Sequence, residues 1–273
     1  MYFKPIFYVL FAVIFANVGL SPAAELTPNE LMEKNRLAQQ FNSLKADCVL
    51  KTSGGKRRPS EKKFTWLRKR QENKIHFNTL TTFKEPAEIK GQAILFLERT
   101  ANKNEISMYL PAYKKVRRVE ASQQKTGFMS SDFSYADMTT FQNKEYDYRD
   151  AGKVKCPTTD ASTIDCRIIE SKPKDQATID RTGYSKSIVW VRVDQNTTTQ
   201  VEHYDADNKL LKRLIFESSK LMGKGDDKQD LYFAHHLLMH AITTDQKTDL
   251  AFDTVEINKD VKDSLFDLQN FGK

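Results

Sequence analysis

Short apolar segments alternating with polar residues and turns dominate the chain beyond residue 45. Lys74–Leu80 alternates with Ile75 and Phe77 on one face, and Gly91–Leu97 is apolar on both faces, which predicts a central strand. Cys48–Leu50, Phe64–Leu67, Ile106–Leu110, Ser187–Asp194, Gln200–Tyr204 and Leu210–Phe216 predict further strands. Turn residues separate them at Ser53–Lys56, Asn102–Asn104, Asp194–Asn196 and Asp205–Asn208. The count is about ten strands, spaced as in an antiparallel meander. Thr27-Pro28-Asn29-Glu30 carries a capping box with proline at the first helical position. Leu31, Leu37, Phe41 and Leu44 then predict a helix to about Lys45. A second, interior helix is expected in the apolar segment that follows Ser130 and Ser131, which cap it, with Ser134 and Asp137 reinforcing the cap. The pattern predicts a mainly β fold: a single curved antiparallel sheet around helices, with an N-terminal helix and a helix laid in the concave face to form a pocket. No internal repeat or linker divides it.

The first residues have a different texture. Lys4, an apolar run to Leu20, and small residues at Ser21 and Ala23 read as an export signal over residues 1–23, cut near Ala23. Residues 24–273 are then a single exported domain. No cysteine lies near the cut, so the chain is not expected to be a lipoprotein itself. The formal net charge is +7, one less once Lys4 is gone. Export argues against nucleic acid as the reason for a basic balance and leaves an anionic membrane surface, an acidic partner, or simple solubility. Cys156 and Cys166 flank a turn-rich loop, and an exported chain can join them. Closing so short a loop is worth roughly 2–3 kcal/mol. Cys48 starts an apolar strand and reads as a buried thiol.

Candidate chemistry is sparse. His236 and His240 have a metal-like spacing only on a helix, and no H-E-x-x-H accompanies them, so no metal is expected. Ser131 and Asp132 resemble a triad fragment on paper, but no G-x-S-x-G is present and the segment reads better as a cap. Asp226-Asp227 sits in a solvated turn, and neither Gly183 nor Gly223 belongs to a phosphate loop. The chain reads as a non-enzyme without cofactors.

The stretch from Glu105 to Met138 is the most distinctive. It contains Lys114, Lys115, Arg117 and Arg118, charged on both faces of a strand, which places that strand at a sheet edge. Such charge either blocks aggregation or docks to head groups or an acidic partner. Met108, Leu110, Phe128, Met129, Phe133, Tyr135 and Met138 fill a core or line an apolar pocket.

Here Y-L-P-A-Y-K-K-V-R-R-V followed by G-F-M-S-S-D-F-S-Y-A-D-M resembles the LolA-like outer membrane lipoprotein-sorting proteins, in the branch linked with RND-type exporters. The segment from Phe83 to Leu95 and the hairpins from Trp190 to Lys212 agree with it, so most of the exported chain is covered. The resemblance implies an incomplete β-barrel (LolA/LolB-like) closed by helices, with Phe128–Met138 as lid helix and lead-in. It implies a periplasmic carrier of lipid or acylated protein in an apolar cavity bordered by Met108, Leu110, Phe128, Phe133, Tyr135 and Met138. It further implies an RND-type inner-membrane exporter as partner, with docking through Lys114, Lys115, Arg117 and Arg118. Ser130 stands where the family usually has Gly, a departure in the turn before the lid. The alternative is an exporter adaptor that carries no ligand and docks through its basic rim.

Overall fold

The computed structural model describes residues 25–99 and 104–272. The signal segment and most of the turn at Asn102–Asn104 lie outside the described residues. Helix α1, Pro28–Leu37, begins with the expected box: the Thr27 hydroxyl accepts from the Glu30 N–H, and the Glu30 carboxylate accepts from the Thr27 N–H at 2.8 Å. It ends at Leu37 rather than near Lys45, because the chain from Ser43 pairs into the sheet and turns Leu44 into a buried strand residue.

Thirteen strands form one antiparallel sheet. They are β1 (Ser43–Gly54), β2 (Ser60–Arg70), β3 (Phe77–Glu85), β4 (Ala93–Leu97), β5 (Glu105–Leu110), β6 (Lys115–Val119) and β7 (Tyr146–Lys155). Then follow β8 (Asp165–Pro173), β9 (Lys186–Arg192), β10 (Thr197–Tyr204), β11 (Leu210–Lys224), β12 (Asp230–Ala241) and β13 (Gln246–Ile257). The spatial order is β6-β5-β4-β3-β2-β1-β13-β12-β11-β10-β9-β8-β7. Two meanders are thus joined by the pairing of β1 with β13, and β6 and β7 are left as free edges of an unclosed barrel. Helix α2, Gln176–Thr182, was not anticipated, although Asp175 caps its start and Gly183, at φ 79°, terminates it.

That order explains the central segment. The chain leaves one edge after β6 and enters the other at β7, so residues 120–145 must cross the concave side. Phe128, Phe133, Tyr135 and Met138 pack there with residues of β1–β5, β12 and β13. The crossing is not the expected lid helix. Phe128–Ser130 is a single 3-10 turn, and Met129 and Ser130 have φ values of 50° and 62°. The Phe128 N–H donates to the Phe133 carbonyl at 2.6 Å, and the Thr248 hydroxyl holds Asp132, accepting from its N–H and donating to its carboxylate. These bonds close a tight loop and leave no helical ladder. Ser134 and Asp137 do pair reciprocally, each side chain accepting from the other's N–H, but around a turn.

Strand β4 is buried on both faces for a specific reason. Ile94 and Phe96 face the concave core, while Ala93, Leu95 and Leu97 are covered by Val261, Phe266 and Phe271 of the C-terminal segment. Within residues 265–268 Phe266 alone turns inward, and its neighbours Leu265 and Leu268 are exposed. Leu31 and Met32 of α1 bury against Ile169, Val189 and Val191.

Candidate ligand cavity

A cavity of about 340 Å³ lies in the concave face between α1, the crossing segment, and strands β1, β2 and β9–β13. Aromatic side chains form much of its wall. Phe233 contacts Phe252 at 4.9 Å and Phe41 at 5.9 Å between ring centres, and Trp66 lies 5.4 Å from Phe252. Strand alternation puts Phe233 and Leu237 on one face of β12, between the buried Leu231 and Met239.

The polar part of the wall is electrically balanced. Arg68 pairs with Glu98 at 3.3 Å, Arg181 with Glu145 at 2.7 Å, and Lys212 with Asp137 at 3.5 Å. Glu98 also accepts from the Phe77 and Thr140 N–H groups, and the Arg68 guanidinium lies 4.0 Å from the centre of the Phe77 ring. Burial pushes the Glu145 carboxyl up against the pull of Arg181. For Asp137 burial also acts upward, but Lys212 and the bonds from Ser134 outweigh it and hold the carboxyl below its usual range. The Tyr184 hydroxyl donates to Asp137 at 3.0 Å, and its ring stacks on His203 at 4.0 Å. Burial pushes the His203 imidazole down to about 4, so it is neutral near pH 7. Among the described residues, three buried N–H donors on wall residues have no acceptor: Trp66 Nε1, Arg68 Nε and Arg181 Nε.

The structure distributes the sequence candidates unevenly. Phe133 and Met138 line the cavity. Phe128 is fully buried beside it, within 5.7–6.3 Å of the Tyr135, Phe83, Phe64 and Phe96 ring centres. Met108 and Tyr135 border a separate recess of about 130 Å³ together with Arg117. Leu110 lines neither space. Lys115, Arg117 and Arg118 lie on the edge strand β6 and Lys114 in the turn before it, so the basic run is at an edge but is not the rim of the larger cavity. Cys156 and Cys166 form a disulfide. Cys48 is buried, and burial raises its thiol pKa.

His236 and His240 lie on strand β12. His236 is held between Glu217 and Asp249, and His240 pairs with Asp245. Among the described residues, no group of three or more His, Cys, Asp or Glu is placed to hold a metal ion. The Ser131 hydroxyl donates to the Phe133 carbonyl rather than facing a base. The sequence reading missed Trp66, Phe233, Leu237 and Phe252 as wall residues, although alternation along β12 pointed to the second and third.

A family model described as an uncharacterized protein matches residues 76–273. No curated protein matches the chain. Among solved structures, a domain described as an outer membrane lipoprotein-sorting protein from Vibrio parahaemolyticus superposes with a TM-score of 0.79 at 23% identity, covering 90% of this chain and 98% of that one. A DUF1329 family protein from Desulfovibrio piger superposes at 0.78 with 22% identity, over 89% and 96% of the two chains. A LolA superfamily protein from Nitrosomonas europaea gives 0.67 at 18% identity, over 90% and 99%. Among the described residues, no helix is long and apolar enough to cross a membrane.

Proposed function

The chain belongs to the uncharacterized-protein family matched over residues 76–273 and has the LolA-type fold, and from that premise we propose that it is a non-enzymatic carrier of lipid or lipid-modified protein. The observation that carries this reading is the cavity of about 340 Å³ with an aromatic and aliphatic wall. Small-ligand sites typically run from about 300 to 1,000 Å³ and are mostly apolar. An acyl chain suits such a wall, and each buried methylene is worth about 0.8 kcal/mol. The balanced ion pairs offer no unpaired charge to a free ion.

The reading extends to location and partner. The signal-like segment up to Ala23 supports export to the periplasm, and the Glu105–Met138 motif supports work beside an RND-type inner-membrane exporter in outer-membrane lipid or lipoprotein sorting. Uptake of a fluorescent fatty acid tests the cavity. Saturable binding is expected, falling by at least about tenfold in Leu237→Trp, whose added ring occupies the space one chain would fill. Absent binding, or binding unchanged in a folded Leu237→Trp protein, contradicts the proposal and favours a ligand-free adaptor.

A further inference from the structure

The two free edges of the sheet treat charge differently. On β7 the cations are neutralised: Lys153 pairs with Glu25 and Lys155 with Asp165, each at 2.7 Å, and Arg149 with Glu170 at 3.2 Å. A bulge between Asp150 and Gly152 further interrupts that edge, and the disulfide closes the loop that follows it. These are the usual defences of an edge strand.

The β5–β6 hairpin is built otherwise. Its tip, Pro111–Tyr113, is a 3-10 turn closed by the Lys114 N–H on the Pro111 carbonyl at 3.1 Å. Tyr113 is 71% exposed and Val116 48% exposed, so an aromatic and an aliphatic side chain stand in solvent among Lys114, Lys115, Arg117 and Arg118. Lys63 on β2 and Lys84 on β3 are paired to Glu85 and Asp47; none of the four hairpin cations forms an ion pair among the described residues. The next acid in the chain, Glu120, has its carboxylate engaged by the Gln123 backbone N–H. Edge protection requires charge but does not require an exposed tyrosine on a turn tip.

We propose that this hairpin tip is a docking element for an anionic lipid bilayer. The cations attract the head groups, and Tyr113 enters the interface, where an amphipathic ring is favoured. A three-residue turn closed by its own backbone bond presents the ring without having to be ordered on contact. Each Lys or Arg held near an anionic surface is worth about fivefold in partitioning. The inference does not rest on the cavity and can hold or fail without it.

Co-sedimentation of the exported chain with vesicles tests it. Binding is expected to vesicles of phosphatidylcholine mixed with phosphatidylglycerol, and not to phosphatidylcholine alone, and should weaken as salt rises. Lys115→Glu with Arg118→Glu should reduce it by at least about tenfold. Tyr113→Ser should reduce it severalfold while keeping the salt dependence, and Lys153→Glu on the other edge should leave it unchanged. All four positions are exposed, and near-UV circular dichroism checks that the variants keep the fold. Absence of binding, equal binding to neutral vesicles, or an equal loss in Lys153→Glu overturns the proposal. Retention on an acidic polypeptide without vesicle binding also overturns it, in favour of a protein partner.

Discussion

The two halves of the concave face are filled in opposite ways. Under β2–β4 the crossing segment makes a solid plug, with Phe128 packed on Phe64, Phe83 and Phe96. Under β9–β13 the same segment stops at Phe133–Phe141 and leaves a hollow against Phe233, Leu237 and Phe252. Both halves are apolar, so hydrophobicity alone does not separate core from cavity. What differs is the supply of side chains. A single irregular connection between the two edge strands fills one side of a thirteen-stranded sheet and leaves the other side short. The plug completes the core on one side, and the other side keeps open space.

The largest expected effect is on the plug. Phe128→Ala should cost about 3–5 kcal/mol in denaturant unfolding, since its ring is fully buried among aromatic partners. Phe233→Ala should cost roughly half as much, because part of that ring already faces empty space. Equal losses would mean that the hollow is packed as tightly as the plug.

Next in size is an effect of pH on the hollow's polar wall. Burial first of all, with Lys212 adding and Asp137 opposing, pushes His203 from 6.5 to about 4. The unfolded chain then takes up a proton that the folded chain refuses. The contribution is complete above pH 6.5 and is lost as pH falls toward 4, at up to about 1.4 kcal/mol per pH unit. His203→Gln should flatten most of that slope in unfolding curves. A residue comes from His76, whose pKa is also lowered by burial. His236 has the opposite sign. Burial acts downward on it, but bonds to Asp249 and Glu217 prevail, and its contribution is lost as pH rises above 6.5.

How far the sequence could be read follows the same division. Strands and edges were legible because period-two alternation and paired-face charge are local signals, as in Ile106–Leu110 and Lys115–Arg118, whereas only Phe77–Leu80 of the expected strand Lys74–Leu80 is strand, since the chain turns at Lys74 with a φ of 57°. The crossing segment was located but its conformation was not. Serine and aspartate cap helices and close turns by the same hydrogen bonds, and the Thr248 hydroxyl that decides between them is 116 residues from Asp132. The double burial of β4 suggested a central strand, but its cause is a C-terminal cover that no local pattern reveals. The wall of the hollow was missed because an unfilled concavity depends on which strands face it.

The smallest effect concerns the plug's entry turn. Ser130 holds a φ of 62°, a left-handed conformation that glycine adopts freely, and the resemblance places glycine there. Ser130→Gly should raise stability by about 0.5–1 kcal/mol in thermal unfolding if that backbone is retained. A loss of stability would show that the turn has another geometry.

Native mass spectrometry of the gently purified protein addresses the hollow most directly. A carrier should retain one acyl-bearing molecule, and Leu237→Trp should lose it while remaining folded. A single apo mass, together with no uptake when lipid is supplied, would show that the hollow holds no cargo.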